Sequence, residues 1–299
     1  MKRHSEIFSQ FIICFVFISV GGILINNLTI NLARTGLGFN LNWLFKPASF
    51  ALAEHPLPYS SSDSYAWALF IGWLNSLKVI ISSLVLATCL GTLIGFARTG
   101  KNSLLGLISA GYITIIRQTP LLLQLMFWYF VGFLGLKDNM FIAINNIFKI
   151  SNQGIEISGL TLSSEFSALL FGLSIFTSAY IAEVIRGGIL SVPRGQWEAF
   201  RSLGLSERKG LFNIIVPQAL PAIIPGLTSQ YLNLAKNSTL AIAVGYSDIY
   251  AINDTIINQT GRAIECFLIL LTSFLLLNLL ISNSMEIINR LIIKSRKYN

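Results

Sequence analysis

Residues 198–221 read EAFRSLGLSERKGLFNIIVPQALP, a charged, glycine-centred segment between long apolar stretches. A helix can begin after Pro193, which places Glu198 in its first turns, where negative charge is favourable at the positive end of the helix dipole. Gly204 is suited to a left-handed residue that ends this helix, and Ser206 is a good N-cap for a second short helix. The segment therefore predicts two short helices joined at a glycine, which together form a compact projection.

The composition indicates a protein that is surrounded mostly by lipid. Hydrophobic residues make up 54% of the 299 residues and charged residues only 11%, whereas a soluble protein carries about 25% charge. Each of the three cysteines, Cys14, Cys89 and Cys266, lies alone in an apolar run. They lack metal-ligand spacing, so we expect small buried side chains. The sequence shows no catalytic triad or metal cluster.

A membrane-spanning helix needs about 20 mainly apolar residues, and six stretches approach this length. The chain is therefore predicted to be an all-α integral membrane protein of about six spans. The first stretch follows a basic N-terminus and could be a signal peptide, but its long apolar core and lack of a clear cleavage site favour a retained anchor. Two long segments, 31–66 and 137–165, are interpreted as exterior loops. The predicted spans are residues 11–29, 67–97, 121–136, 166–185, 219–244 and 263–281.

The placement of basic residues predicts the orientation of these spans. With the N-terminus inside, fourteen of the 21 Lys and Arg residues fall in cytoplasmic segments, five in exterior segments, and Lys78 and Lys236 within spans. Cytoplasmic segments carry the excess of Lys and Arg in membrane proteins, so both termini are predicted to be cytoplasmic. The same bias explains the net charge of +8 without a nucleic-acid partner.

Four further segments, together with residues 198–221, resemble one family of transporters. Residues 117–124 (RQTPLLLQ) and 182–189 (AEVIRGGI) resemble motifs of polar-amino-acid permeases. Residues 228–246 (TSQYLNLAKNSTLAIAVGY) and 258–265 (NQTGRAIE) are similar to the general L-amino-acid permeases of the Aap/Bzt group. The segment at 198–221 resembles the EAA loop of ABC importers. Any one motif is weak evidence, but their order along the chain is specific.

The resemblance implies a type I ABC importer permease with three regions: an anchor and exterior loop at 1–66, a permease domain at 67–287 whose coupling loop covers about 194–218, and a basic tail at 288–299. It implies a second permease subunit, two ATPases that use ATP and magnesium, and a periplasmic amino-acid-binding protein. This chain would bind no cofactor and would lie in a bacterial inner membrane. The residues that the resemblance assigns to ATPase coupling are Glu198, Ala199, Gly204, Phe212 and Pro217.

The sequence departs from the family in two places. Phe200 replaces the second alanine of the EAA motif, where bulk changes how the projection packs. Members of the group are also longer between the third and fourth spans. An ordinary cytoplasmic connection without a partner is the alternative for the motif alone.

Polar residues in the predicted spans are candidates for the substrate pathway, because such residues are costly in lipid without a role. Glu183 and Arg186 lie three residues apart on one helix face. They are interpreted either as an ion pair that closes the cytoplasmic end of the bundle or as a substrate contact through Glu183. Lys236 could meet a carboxylate or a neighbouring subunit. Pro217, Pro221 and Pro225 either free backbone carbonyls for the pathway or only kink the helix. The pathway candidates are Gln124, Glu183, Gln230, Tyr231, Asn233 and Asn237.

Two other functional classes fit the hydropathy. A secondary transporter driven by an ion gradient predicts internal repeats, and the sequence shows no convincing repeat. A membrane scaffold leaves the polar residues within spans unexplained.

Overall fold

The computed structural model describes residues 2–35, 38–100, 103–136, 142–144 and 148–296. The described part is mainly helical. Its helices are α1 (Lys2–Thr35), α2 (Tyr65–Thr99), α3 (Ser103–Gln118), α4 (Leu121–Met126), α5 (Ser164–Leu190), α6 (Arg194–Ser202), α7 (Glu207–Gly210), α8 (Val216–Asn237), α9 (Ile249–Thr260) and α10 (Ala263–Arg296). A 3-10 helix covers Asn42–Phe45, π-helical segments cover Phe127–Phe133 and Leu211–Ile215, and a second 3-10 helix covers Ser238–Val244.

Five helical stretches within the described residues are long and apolar enough to cross a membrane, and each contains one of the predicted spans. Their lengths run from 22 to 38 residues. The remaining predicted span, 121–136, corresponds to a shorter apolar helix from Leu121 to Phe133, which is about 20 Å long at 1.5 Å per residue. The long stretches are Gln10–Asn31, Tyr65–Thr99, Ser164–Leu190, Glu207–Val244 and Ala263–Ile292.

The third crossing is therefore made of two helices, where the sequence predicted one. Helices α2 and α5 run in the same direction, since Gly91 faces Ile181 while the earlier Val79 shares a core with Phe166. The chain between α2 and α5 must therefore cross the membrane in the opposite direction. This crossing begins with α3 beside the end of α2, where the Arg98 guanidinium donates to the Gly106 carbonyl at 3.1 Å. The predicted span begins at residue 121 and leaves out α3. Proline cannot donate a helical hydrogen bond, so Pro120 is interpreted as the boundary of the span.

A four-stranded antiparallel sheet occupies the predicted exterior loop at 137–165. The strands pair in chain order, and the last two are joined by Ser158 and Gly159, both with positive φ, as tight hairpin turns require. Ile155 is buried against the end of the third crossing and the start of α5. The strands are β1 (Ile142–Ile144), β2 (Phe148–Ser151), β3 (Gly154–Ile157) and β4 (Leu160–Leu162).

The packing of α2 on α5 forms the centre of the molecule. A Cβ atom added at Gly91 would lie 2.6 Å from Ile181 Cβ, and one at Gly95 would lie 2.9 Å from Ile185 Cβ. Small residues let membrane helices approach closely, which strengthens their van der Waals contact. The span of α1, in contrast, has no buried residue. Of the cysteines only Cys266 is buried; Cys14 and Cys89 are exposed, because they lie on outward helix faces where lipid replaces a protein core.

Candidate functional site

The segment at 194–218 folds in part as the sequence predicts. The first short helix and the glycine turn are present, but the predicted second short helix continues through α7 and a π-helical segment into α8. Helix α6 begins directly after Pro193, and Gly204 has the left-handed φ of +71° that ends it. Ser206 precedes α7. The guanidinium of Arg201 donates to Glu207 Oε1 at 3.0 Å across the turn. The two short helices are thus joined by a hydrogen-bonded turn.

Phe200 is the buried anchor of this projection, and its bulk is accommodated by a glycine. Its side chain is 1% exposed and its ring centroid lies 5.9 Å from that of Trp197. Gly210 lies against the same ring, so a Cβ atom there would overlap it. The departure from the EAA motif is therefore a large–small pair, in which the absence of a side chain at 210 makes room for the phenylalanine.

The candidate coupling residues lie on the outer surface of the projection or at its base. Glu198, Ala199 and Gly204 are exposed, and so is Leu203, at 77%. Phe212 is 47% exposed, and its ring centroid is 5.3 Å from Phe96 near the end of α2. Pro217, at the start of α8, is also exposed. The projection thus presents a mixed polar and apolar surface and contacts the transmembrane bundle through Phe212.

A polar cavity of about 270 Å³ lies between α5 and the end of α8. It brings together three of the predicted pathway residues, Gln230, Asn233 and Asn237, and adds Lys236. The α5 wall contributes Phe176, Thr177 and Tyr180. Amide groups offer both donors and acceptors, and the lysine supplies a positive charge. The cavity can therefore hold a polar solute that carries a carboxylate.

Three predicted pathway residues do not line this cavity: Tyr231, Gln124 and Glu183. The hydroxyl of Tyr231 hydrogen-bonds the Thr88 hydroxyl of α2 at 2.8 Å. The Gln124 amide donates to the Ile116 carbonyl at 3.0 Å and to Thr119 Oγ1 at 2.7 Å. Tyr231 therefore ties α8 to α2, and Gln124 bridges the break between α3 and α4. Helical periodicity places polar residues on a face, but it does not reveal which neighbour occupies that face.

Glu183 lines a second cavity, of about 420 Å³, on the other side of Tyr180. It accepts two hydrogen bonds from Arg186, at 3.0 Å from Nε and 2.8 Å from Nη2. Arg98 and Arg117 line the same cavity, and the Arg117 guanidinium lies 4.9 Å from the Tyr180 ring centroid. The predicted ion pair is thus present, and its carboxylate faces two additional cations.

Tyr180 lines both cavities, and the sequence analysis did not select it. Thr177, Tyr180 and Glu183 recur every three residues along α5, a spacing that puts them on one helix face. That periodicity could have identified the shared wall. The contribution of Arg98 and Arg117 could not be found in this way, because α3 was interpreted as a cytoplasmic segment.

The prolines of α8 lie before the cavity residues in the chain. Pro221 and Pro225 are inside the helix, and neither lines the cavity formed with α5. The hydroxyls of Thr228 and Ser229 donate to the carbonyls of Ile224 and Pro225, at 2.9 and 3.3 Å. Carbonyls freed by the prolines therefore do not form this cavity.

Comparison with known proteins assigns the chain to a family. Residues 87–294 match the family of binding-protein-dependent transport system inner membrane components. The chain belongs to this family. It is a permease subunit rather than an enzyme, and ATP hydrolysis is performed by separate subunits of such systems.

Similar proteins extend over most of the chain. YhdX of Escherichia coli (strain K12), named as an amino-acid ABC transporter permease, is 33% identical over 354 aligned positions that cover 91% of this chain and 90% of YhdX. AapQ of Rhizobium johnstonii, a general L-amino acid transport system permease, is 31% identical, with coverage of 96% and 92%. The crystal structure of an amino acid ABC transporter with histidines superposes with a TM-score of 0.60 and 28% identity, over 76% of this chain and 94% of that one.

Proposed function

We propose that this permease forms part of the translocation pathway for L-amino acids in an ATP-driven importer of a bacterial inner membrane. Its relatives are amino-acid permeases. The cavity between α5 and α8 is the observation that carries the proposal, because an amino acid needs polar partners for two charged groups inside lipid. In this arrangement the amides of Gln230, Asn233 and Asn237 accept from the ammonium, and Lys236 meets the carboxylate.

The proposed complex contains a second, similar permease subunit, two cytoplasmic ATPases and a periplasmic binding protein. The membership of a binding-protein-dependent family supports this composition. Lys236 could alternatively pair with the second permease, because its ammonium faces a cavity on the surface of this subunit. ATP and magnesium belong to the ATPases, and this chain holds neither.

The proposed cycle is alternating access driven through the projection at 194–218. Binding of ATP closes the ATPase dimer and moves the projection. Because Phe200 anchors the projection in the core shared with α5 and α8, its displacement is transmitted to the walls of the cavity. Glu198, Ala199 and Gly204 form the docking surface in this proposal, while Phe212 and Pro217 link that surface to α2 and α8. Hydrolysis of ATP resets the subunits.

The Glu183–Arg186 pair has a proposed gating role at the inner side of the pathway. An ion pair held by two hydrogen bonds keeps both charges compensated while the path is closed. Substrate contact through Glu183 is the second candidate role, favoured by its position in the cavity with Arg98 and Arg117.

Purification of the complex tests the proposed composition. A tagged chain extracted in mild detergent should co-purify with an ATPase and a second permease. Isolation of the chain as a functional transporter without any ATPase would support a carrier driven by an ion gradient, an alternative that no comparison favours.

A further inference from the structure

A third cavity, of about 560 Å³ and lined by polar residues, opens at the exterior end of the molecule. Three separate segments build it: the loop at 53–56, the face of α2 that carries Asn75 and Lys78, and the sheet between Ser151 and Ser163. The loop and the sheet both belong to segments that the distribution of basic residues places outside the membrane. The cavity is thus separate from the one between α5 and α8.

Opposite charges meet at the base of this exterior cavity. The Lys78 ammonium lies 3.5 Å from Glu54 Oε2, with side-chain exposures of 39% for the lysine and 19% for the glutamate. The hydroxyl of Ser163 donates to Glu54 Oε1, and Lys78 Nζ also lies 4.2 Å from the centre of the Phe166 ring. Both charged groups are therefore held in place, yet the ion pair is long and accessible from the cavity.

The loop that carries Glu54 is fixed by its backbone as well. Asn75 donates from Nδ2 to the Glu54 carbonyl at 2.9 Å and to the Ser247 carbonyl at 2.8 Å. Because Asn75 is 1% exposed and bonds two acceptors, its amide orientation is determined. The cavity is thus preformed, as ligand sites usually are.

The charge pattern selects one class of ligand. Besides Glu54 and Lys78 the lining includes Glu156, which pairs with Lys149 at 3.5 Å. A simple anion would approach two carboxylates, and a simple cation would approach Lys78. A molecule with adjacent ammonium and carboxylate groups can pair with Glu54 and Lys78 together and leaves neither charge uncompensated.

We propose that this exterior cavity is a subsite for the zwitterionic head group of a free L-amino acid, with the ammonium on Glu54 and the carboxylate on Lys78. The subsite rests on the proposed function, since it would receive an amino acid before the amino acid enters the cavity between α5 and α8. Burial raises the pKa of the Glu54 carboxyl, and the neighbouring Lys78 ammonium opposes this shift.

Cysteine protection tests the subsite in the assembled transporter. The native cysteines are replaced, and single cysteines are introduced by Gln153→Cys, which lines the cavity, and by Ser62→Cys, which lies exposed in the same exterior segment as Glu54. Spheroplasts washed free of binding protein are treated with an impermeant thiosulfonate, with and without L-glutamine, L-alanine or L-glutamate. At a ligand concentration about four times Kd, the rate at an occupied site falls about fivefold.

The proposal predicts that all three amino acids, titrated to saturation, slow the reaction at Gln153→Cys at least about fivefold and leave Ser62→Cys unchanged. N-acetyl-L-glutamine and L-glutamine amide, which each lack one charge, should protect at least about tenfold more weakly. An unchanged rate at Gln153→Cys with all three amino acids, or equal slowing at both positions, would overturn the proposal.

Charge-neutral variants assign the protection to the named groups. Glu54→Gln and Lys78→Met should each abolish protection, whereas Glu286→Gln, in an exposed pair on α10, should retain it. Protection that survives in both cavity variants would refute the assignment. The labelling reaction needs no ATP, so it is independent of uptake. If the complex that contains the native chain shows no ATP-dependent amino-acid uptake, the proposed function is instead refuted.

Discussion

Gly204 is required for its backbone conformation rather than for space. Its φ of +71° is left-handed, and an added Cβ atom would meet nothing within 4 Å. A β-branched residue at such a φ costs at least ~1 kcal/mol, whereas asparagine tolerates it. The residue therefore sets the angle between α6 and α7 without filling the interface between them.

We expect Gly204→Val to insert and to assemble with the second permease but to lose substrate-stimulated ATPase activity, because the turn that presents the docking surface is strained. Gly204→Asn is the matched control and should keep most of that activity. ATP hydrolysis by the reconstituted complex, with and without substrate-loaded binding protein, is the measurement. Full activity of the valine variant would contradict the coupling role.

Phe200 and Gly210 should behave as one packing unit. Gly210→Ala is expected to destabilise the projection by about 1–3 kcal/mol, since its methyl group overlaps the Phe200 ring. The double variant Phe200→Ala/Gly210→Ala should lose less stability than the sum of the two single variants. A thermal double-mutant cycle measures this coupling, and strict additivity would show that the two positions do not share the space.

Glu183 should matter more for transport than its partner. Its carboxylate compensates Arg186 and shares a cavity with Arg98 and Arg117, whereas the guanidinium of Arg186 hydrogen-bonds Glu183 alone among the residues that the structure describes. Glu183→Gln should therefore reduce uptake at least about tenfold more than Arg186→Gln, through uncompensated positive charge. Uptake rates normalised to assembled complex are the readout. Equal losses would favour an isolated gate pair with no further contact.

At the scale of elements, hydrogen bonds attach the N-terminus of α9 to the bundle. Asp248 accepts from the Ala251 N–H at 2.8 Å as the N-cap of α9, and Asn75 and Ser76 of α2 bond the adjacent backbone. Burial raises the pKa of the Asp248 carboxyl to about 7, although hydrogen bonds from Ala251 and Tyr250 oppose the shift. The cap therefore combines a structural bond with a titratable group.

The stability of the fold should depend on this carboxyl. Because the folded state holds its proton more tightly than the unfolded state, stability is highest below about pH 4 for this group and declines as the pH rises through about 7. Asp248→Asn keeps the capping oxygen and removes the titration. We expect the Tm of the native protein to fall relative to that of the variant over this range, measured by scanning fluorimetry. If the Tm of the native protein and that of the variant change in parallel with pH, the buried carboxyl is not protonated as described.

The long helices could be predicted from sequence because continuous apolar runs have few alternatives in a membrane. The projection could also be predicted, since Pro193, Gly204 and Ser206 each have a strong local preference. The sheet and α3 could not. The short strands of the sheet alternate weakly in sequence and are stabilised by packing on residues such as Phe133 and Ala168. Helix α3 is separated from α4 by a proline that local patterns treat as a boundary.

At the scale of the candidate site, the residue types could be predicted but not all of their neighbours. Asn233 and Asn237 lie one turn apart on α8, and the structure places them together in the cavity. Gln124 and Tyr231 have the same polar character, yet the structure pairs them with backbone and with α2. The difference depends on the rotation of each helix against its neighbour, which is a tertiary property.

At the scale of the whole molecule, three sites lie at different levels along one subunit: the exterior cavity, the cavity between α5 and α8, and the projection. The parallel packing of α2 and α5, with the two-part crossing between them, produces this arrangement. Family membership connects this arrangement to an ATPase and a binding protein. The central claim is therefore that solute passes through this subunit only when force reaches the projection.

Uptake by proteoliposomes that contain the complete complex tests this claim most directly. A mixture of radiolabelled L-amino acids is supplied outside with the binding protein, and ATP is enclosed inside with the ATPases. We predict accumulation that requires both ATP and binding protein, is abolished by Gly204→Val, and persists when ionophores collapse the ion gradients. Accumulation driven by an imposed proton or sodium gradient without ATP would contradict the account.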